Sequence, residues 1–295
     1  MEQSRFLNEP AMAVREGAAA AGKVGELSEP SWTASPRWYL WEGGFILISG
    51  SAGVVPPHSH HAIQIVIAME GEAAICERGG EWRSGRGIIV PPNVVHSYAG
   101  QSAYTGMLFL DPDSIEGVWL RSTIADRTVI VPEGRVIPAA DALRRFCERP
   151  LESMDFGSVI RFTVESLCAG GPPLRHADPR IRKVLDSIAA SDDLRVSLEQ
   201  MAASVFLSPS RFQHLFKQQV GLPFRRYMLW RKVMRAMIAI AKEPTLTAAA
   251  QRSDFADAAH LTRTFHQMFG LPPSVLMQGD FFVVPSPFDI TAVAA

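Results

Sequence analysis

Two groups of side chains in the C-terminal third of the chain have the types and spacing needed to read DNA. The first group lies within residues 208–220 and consists of Ser210, Arg211, Gln213, His214 and Lys217. The apolar residues of the same stretch share the opposite face of a helix: Phe212, Leu215, Phe216 and Val220. Hydrogen-bonding groups on the outer face of such a helix can contact base edges in the major groove.

The second group repeats this arrangement further along the chain. Its inward face is predicted to hold Leu261, Phe265, Met268 and Phe269, and its outward face Ala258, Ala259, Thr262 and Arg263. Arg263 suits bidentate contact with guanine, and equally contact with a phosphate. The two alanines offer only apolar contact with thymine methyl groups. Both stretches end in a matching Gly-Leu-Pro phrase, at Gly221 and Gly270, which indicates a pair of helix-turn-helix motifs.

Local signals predict where the helices of these motifs begin. Ser197, Ser208 and Asp257 are predicted N-caps, and Pro209 follows at a first helical position, where its missing N–H costs nothing. The pattern of residues 223–242 predicts one long helix. Such a helix can hold the two helix-turn-helix motifs about 34 Å apart, which is one turn of DNA. Its cations are Arg225, Arg226, Arg231, Lys232 and Arg235, of which Arg225 and Arg231 are predicted to bind phosphate.

The N-terminal half has the pattern of a β protein. Short apolar runs at 45–48, 63–68, 73–76, 87–90 and 105–110 are separated by Gly, Pro, Asn or charged turns. Regular short strands of this kind predict an antiparallel sandwich or barrel. Residues 113–131 fit no single pattern.

After Pro138 the pattern becomes helical, over residues 139–168. The apolar face of this run must be covered, either by self-association, which we favour, or by packing on the β domain. The flanking segments are predicted to be a mostly disordered N-terminus at 1–34, a linker at 170–179 and a tail at 280–295, of which 281–284 can pack back onto a domain.

Composition fits a globular, two-domain protein. Apolar residues make up 47% of 295 residues, and residues 178–279 hold 14 Lys and Arg against 8 Asp and Glu, so the remainder is acidic. Cys76, Cys147 and Cys168 lack metal or redox spacing and are predicted to be free thiols in a reducing cytoplasm. We find no apolar stretch of about 18 residues and no signal-peptide pattern.

Residues 178–278 resemble the DNA-binding domain of the AraC/XylS family of bacterial regulators. The resemblance rests on the motifs 178–185, 207–212, Leu261-Thr-Arg-Thr-Phe265 and 269–274. It implies that the first helix contacts bases through Ser210, Gln213 and His214, and the second through Ala258, Ala259, Thr262 and Arg263. Asp254 stands where the family usually has Gly, and residues 247–253 lack the usual large aliphatic side chains. The second helix-turn-helix motif is therefore expected to bind DNA more weakly than the first.

Residues 53–71 and 85–96 resemble the two cupin motifs. The resemblance places His58, His60, Gln64 and His96 where metal-binding cupins hold their ligands. Three imidazoles suit Zn, Fe, Ni or Cu, but Gln64 replaces the usual Glu and removes the anionic ligand. We therefore favour an effector site without metal or other cofactor, formed by His58, His60, Gln64, His96, Tyr98 and Trp41. Trp38 and Tyr39 are further candidates, and Arg37 can pair with an anionic effector.

The sequence thus predicts an α+β multidomain protein: a cupin-like antiparallel β-barrel with flanking helices at 35–169, then an all-α domain with two helix-turn-helix motifs at 180–279. The expected function is that of a non-enzymatic, cytoplasmic transcription regulator, controlled by a small effector and acting as a homodimer on double-stranded DNA, with RNA polymerase as a further partner. The alternatives are a metal-dependent cupin, either a metal sensor or an oxygenase or isomerase, fused to a DNA-binding domain, and a regulator whose cupin only dimerises.

Overall fold

A computed structural model describes residues 35–41, 43–50, 53–100, 104–124, 127–148, 156–168, 178–191, 193–243 and 245–284. The predicted disordered segment 1–34, most of the predicted linker and residues 285–295 lie outside this part. The strands are β1 (Arg37–Trp41), β2 (Gly44–Ser49), β3 (Gly53–His58), β4 (Ile63–Ala68), β5 (Ala73–Glu77), β6 (Trp82–Gly85), β7 (Gly87–Val90), β8 (His96–Gly100), β9 (Thr105–Leu110), β10 (Val129–Ile130) and β11 (Asp280–Val283). All five strands predicted from apolar runs are confirmed.

The strands form two sheets. Seven strands pair in the order β10-β7-β4-β9-β2-β1-β11, and four pair in the order β3-β8-β5-β6. The predicted cupin-like β domain thus consists of two sheets, and no pairing among the described residues closes them into a continuous barrel. At one edge of the larger sheet, β11 pairs with β1 in parallel.

Three helices cover the outer face of the larger sheet: α1 (Ile115–Thr123), α2 (Glu133–Glu148) and α3 (Phe156–Leu167). The ambiguous stretch 113–131 thus contains α1 and β10. Helix α2 begins five residues before Pro138 and continues through it, although this proline lacks the N–H that would bond to residue 134. Leu143, Phe146 and Ile160 are buried against the sheet, so α2 and α3 cover part of their apolar faces within the chain.

The C-terminal part is helical, with α4 (Pro179–Ala189), α5 (Leu198–Ser204), α6 (Pro209–Val220), α7 (Phe224–Lys242), α8 (Leu246–Arg252), α9 (Ala258–Phe269) and a 3-10 helix (Pro273–Gln278). The predicted N-caps are confirmed. Ser197, Ser208 and Asp257 each accept a hydrogen bond from the backbone N–H three residues later. None of the described helices is both long enough and apolar enough to cross a membrane.

The two helix-turn-helix units are buried differently. The first has its own core, in which Phe212, Phe216 and Phe224 pack together. The second shares one continuous core with the inner faces of the sheets, through α7, α9 and the 3-10 helix. Strand β11 adds a further link, since Phe281 stacks on Trp38 of β1 at a ring distance of 6.0 Å. The C-terminal unit is therefore docked on the N-terminal one by its second half.

The turns of the two motifs contain equivalent left-handed residues, Phe206 and Asp254, with φ of 57° and 60°. The contacts of Asp254 give a structural reason why this position holds Asp and not the usual Gly. Its carboxylate accepts a hydrogen bond from Arg195 Nε at 2.7 Å and lies 3.7 Å from Arg235 Nη1, while its carbonyl accepts from Lys232 Nζ at 3.1 Å. A glycine would supply the turn but not the contact between the two motifs.

Replacing Phe206 by Gly should stabilise the protein. The left-handed conformation costs a residue with a Cβ about 1–2 kcal/mol, and the Phe206 side chain is 94% exposed, so its removal loses no burial. Glycine has more conformational entropy in the unfolded chain, and this offsets the gain by about 0.5–1 kcal/mol. We therefore expect the free energy of unfolding to rise by about 1 kcal/mol or less, as measured by chemical denaturation. Phe206→Ala keeps the Cβ and should give a smaller change; an equal gain in both variants would contradict strain as the cause.

Candidate nucleic-acid interface and ligand cavity

The outer face of α6 is free to meet a ligand. Ser210, Arg211, Gln213, His214 and Lys217 are all exposed, and the N-cap bond to Ser208 fixes the start of the helix. At the other end, Gly221 adopts φ 86° and ends the helix. The helix thus presents an amide, an imidazole and two cations together, a set able to bond to both base edges and phosphates.

The outer face of α9 is smaller and less polar. Ala259 and Arg263 are exposed, whereas Ala258 and Thr262 are half-buried. Thr262 Oγ1 donates a hydrogen bond to the Ala258 carbonyl at 2.8 Å, so its hydroxyl proton is used within the helix. Arg263 is therefore the most capable hydrogen-bonding group among the four predicted reading positions of this helix.

The cations of α7 divide into two sets. Arg225 and Arg226 are exposed, near the end of α6. Arg231 is instead half-buried at the contact with the N-terminal unit, where its Nη1 lies 3.9 Å from Asp111 Oδ2. In this arrangement of the two units, Arg225 can reach a phosphate. Arg231, the other predicted phosphate-binding residue, is instead paired with Asp111.

Buried aromatic and ionisable groups meet beside this ion pair. The His61 ring packs edge-on against Tyr227 and Trp230 of α7, at centroid distances of 5.9 and 6.1 Å. Its Nε2 lies 3.6 Å from Asp113 Oδ2. His61, Asp111 and Asp113 therefore form the N-terminal side of a polar contact that helps to fix α7.

An apolar cavity of about 50 Å³ lies between the sheets and the docked helices. Sheet residues that line it are Trp38, Phe45, Leu47, Val55, His58, Gln64, Tyr98, Met107 and Phe109, and C-terminal residues are Met237, Phe265, Phe269, Leu271 and Val275. None of these carries a cation or a carboxylate. Burial raises the pKa of Tyr98 to about 12, so its phenol is neutral. A mostly apolar lining with a few polar anchors is typical of sites for small molecules.

Three predicted contributors lie elsewhere. Trp41 and Tyr39 alternate with Trp38 along β1 and project from the opposite face of the sheet, where both pack on Phe156. The Arg37 guanidinium lies 3.5 Å from the Cys147 carbonyl oxygen. Cavity residues supplied by α7 and α9 were missed, because their spacing identifies a core face without saying what it packs against.

The predicted histidine cluster is assembled beside the cavity, and His58 lines it whereas His60 and His96 do not. His58 and His96 face each other across β3 and β8, and ring nitrogens of His58, His60 and His96 lie within 4.8 Å of one another. Burial, followed by the neighbouring imidazoles, lowers the pKa of His58 to about 3 and that of His60 well below its usual value. Burial likewise lowers the pKa of His96. The three rings are therefore neutral.

Backbone carbonyls define the tautomer of all three rings. The Nδ1 atoms of His58, His60 and His96 lie 2.8, 3.0 and 2.9 Å from the carbonyl oxygens of Pro56, Ala62 and Val94. A carbonyl can only accept, so each Nδ1 carries the proton and each Nε2 keeps a lone pair.

The Gln64 amide bridges two of these rings. Its Oε1 position lies 3.0 Å from His60 Nε2 and 2.9 Å from His96 Nε2. Since both Nε2 atoms can only accept, the amide satisfies them when its NH₂ group, which has two protons, occupies that position. Neutral groups thus bond to both ring nitrogens of His60 and His96 and to Nδ1 of His58.

Two family models match the chain. An AraC-like ligand binding domain matches residues 43–155, and a helix-turn-helix domain matches residues 201–279. Among curated proteins, the regulatory protein PocR of Salmonella typhimurium is 29% identical over 50% of this chain and 51% of its own length. The arabinose operon regulatory protein of Escherichia coli is 23% identical over 72% of this chain and 79% of its own. The chain thus spans about half the length of PocR.

Among solved structures, ToxT from Vibrio cholerae shares the fold. One ToxT structure, at 1.65 Å resolution, aligns with a TM-score of 0.52 at 10% identity, covering 80% of this chain and 98% of ToxT. A second ToxT structure, bound to (E)-4-(8-methylnaphthalen-1-yl)but-3-enoic acid, aligns with a TM-score of 0.53 at 10% identity, over 83% and 99% of the two chains.

Proposed function

Because this chain belongs to the AraC/XylS family of DNA-binding transcription regulators, we propose that α6 and α9 enter major grooves of one DNA target, with α7 as the spacer. The observation that carries this proposal is the exposed polar face of α6, on a helix capped at both ends. Ser210, Gln213 and His214 are the base-reading residues of the first helix-turn-helix motif, and Arg263 is that of the second. Arg211, Lys217 and Arg225 position the backbone of the DNA.

The apolar cavity is the effector site of this regulator. Its lining includes His58, Gln64 and Tyr98 and lacks charged side chains, which favours a neutral, largely apolar effector over an anionic one. Because both units supply lining residues, an effector has different contacts when the units are docked and when they are apart. That difference is what a ligand needs to shift the balance between two arrangements.

Replacing Gln213 or Arg263 by Ala should reduce discrimination between specific and random DNA. Each loss should be about 1–3 kcal/mol, the range for one good base contact. Arg225→Ala is the matched control, since loss of a phosphate contact should weaken both DNAs alike and make the salt slope less steep by about 1. Titration of both DNAs at several salt concentrations measures these effects. Equal losses on the two DNAs for Gln213→Ala and Arg263→Ala would argue against base reading.

The further partners follow from this role. A regulator acts where the chromosome is, so we place it in the cytoplasm, where it meets RNA polymerase. Two copies on paired half-sites would double the contacts with DNA. The rival role, a metal-dependent cupin enzyme, needs turnover of a substrate, and no residue at the cavity offers a carboxylate for acid–base catalysis. We therefore assign no catalytic function.

A further inference from the structure

We propose that His61, Asp111 and Asp113 form a binding site for one divalent metal ion at the junction between the N-terminal unit and α7. This site is separate from the histidine cluster beside the effector cavity. It goes beyond DNA binding and effector binding and depends on neither. The proposal rests on the distances between the three ligand groups, on buried polar atoms without a hydrogen-bond partner, and on the balance of buried charge.

The three side chains are close enough to share one ion. A ring nitrogen of His61 and one carboxylate oxygen each of Asp111 and Asp113 lie within 4.8 Å of one another. His61 Nε2 and Asp113 Oδ2 are 3.6 Å apart, which is too long for a direct hydrogen bond. Two ligand atoms bound to one ion at about 2.0–2.2 Å are roughly 3.0–3.4 Å apart. Side-chain movements of about 1 Å or less would therefore bring all three groups onto a single ion.

Two of these residues have buried ligand atoms that lack a hydrogen-bond partner within the part of the chain that the structure describes. His61 is only 3% exposed, and neither its Nδ1 nor its Nε2 has such a partner. The Asp113 Oδ2 atom, across from His61 Nε2, also lacks one. Buried polar groups are normally paired, because an unmade hydrogen bond costs free energy. An ion between the two residues would satisfy both.

The fold holds the two carboxylates and the imidazole in place. The Asp111 Oδ1 atom accepts a hydrogen bond from the Asp113 backbone N–H at 3.1 Å, which leaves Oδ2 for another partner. Ser114 caps α1 and donates its hydroxyl proton to the Asp111 carbonyl oxygen at 2.7 Å. His61 lies in the connection between β3 and β4, and two aromatic rings of α7 pack against its imidazole. The three ligand groups are thus fixed by different elements that meet at one point.

The charges around the site favour a further cation. The side chains of Asp111 and Asp113 are only 8% and 12% exposed. Arg231 Nη1 lies 3.9 Å from Asp111 Oδ2, beyond hydrogen-bond distance. Burial raises the pKa of the Asp113 carboxyl above its usual value, and the neighbouring Asp111 adds to this rise, while His61 and Arg121 oppose it. The cations present therefore compensate the two carboxylates only in part, and buried charges need to be paired or to bind a metal.

The ligand set suits a divalent ion of the first transition series. Carboxylate oxygens suit Mn(II), and imidazole nitrogens suit Fe(II) and Zn(II). Two carboxylates and one 2+ ion are neutral together, so binding removes the imbalance of charge. Asp113 also lines a polar pocket between α1, α4 and α6, through which an ion can reach the site. Arg231 competes with the ion, because its positive charge lies close to the same Asp111 oxygen.

The test is a titration of the purified, metal-free full chain with Mn(II), followed by loss of the electron paramagnetic resonance signal of the free ion. Mn(II) favours oxygen ligands, whereas three imidazoles favour Zn(II) or Cu(II), so this probe selects the proposed site. We expect one Mn(II) per chain. Asp113→Asn and His61→Gln should each weaken binding by more than about tenfold, through loss of a charge or of a ligand nitrogen. The matched controls Asp141→Asn in α2 and His260→Gln in α9 should bind like the wild type.

Two further variants keep all three ligands and make the result decisive. Arg231→Gln removes the competing cation and should bind Mn(II) more tightly by more than about tenfold. This gain counts even if a ligand variant fails to fold, as judged by circular dichroism. His96→Gln alters the other cluster and should leave Mn(II) binding unchanged. The proposal is overturned by a wild type that does not bind, by unchanged binding in Asp113→Asn and His61→Gln, by loss of binding in His96→Gln, or by no gain in Arg231→Gln.

Discussion

Replacing Gly270 by Ala is expected to weaken the docking of the C-terminal unit on the sheets. Gly270 ends α9 with φ 70°, where a residue with a Cβ costs about 1–2 kcal/mol. Its Cα also faces β3 so closely that an added Cβ would lie 2.9 Å from Val55 Cγ1 and 3.1 Å from His58 Nδ1 and from the Pro56 carbonyl oxygen. Overpacking of this kind costs about 1–3 kcal/mol more. Undocking relieves the second cost.

The chain contains its own control for this prediction. Gly221 ends α6 in the same left-handed conformation, with φ 86°, but a Cβ added there would have no neighbour within 4 Å. Gly221→Ala should therefore lower the thermal midpoint through strain alone and leave the overall dimensions unchanged. Small-angle scattering should give a larger radius of gyration for Gly270→Ala only. The same radius for both variants would mean that the approach of Gly270 to β3 does not control docking.

Features set by residues close together in the sequence could be predicted. The caps at Ser208 and Asp257 define helix starts, and the apolar run of β4 defines a fully buried strand. The histidine cluster was also predictable, since His58 and His96 pair across β3 and β8 and His60 follows two residues after the end of β3. The apolar-run pattern did not identify β3, because this strand contains two prolines and lies at a sheet edge, where prolines are tolerated.

Features set by distant contacts could not be predicted. The apolar residues Met237 and Phe269 have helical spacing, which identifies a buried face but not its partner. Residues 281–284 were predicted to pack back onto a domain, but their partner β1 was not identified, because it lies far away in the chain. For the same reason the effector cavity was expected within one domain, whereas residues of α7 and α9 complete it. The engagement of Arg231 by Asp111 likewise depends on docking.

Replacing Phe269 by Ala should destabilise the protein strongly. Phe269 is 8% exposed, and its ring lies 6.0 Å from Phe45 and 5.9 Å from Phe109, which belong to the larger sheet. It also stacks on His60 at 6.0 Å. Loss of a buried Phe ring costs about 3–5 kcal/mol, and here it would enlarge the cavity that the ring already lines.

The matched variant is Phe212→Ala in the first motif. Phe212 is fully buried, but its ring partners Phe216 and Phe224 lie within the C-terminal unit. The two substitutions should therefore cost similar free energies in chemical denaturation and differ in where the loss falls. Hydrogen exchange should quicken in β2, β9 and α9 for Phe269→Ala, and in α5 and α6 for Phe212→Ala. Faster exchange confined to α9 in Phe269→Ala would contradict a shared core, since the sheet would then hold its structure without the ring.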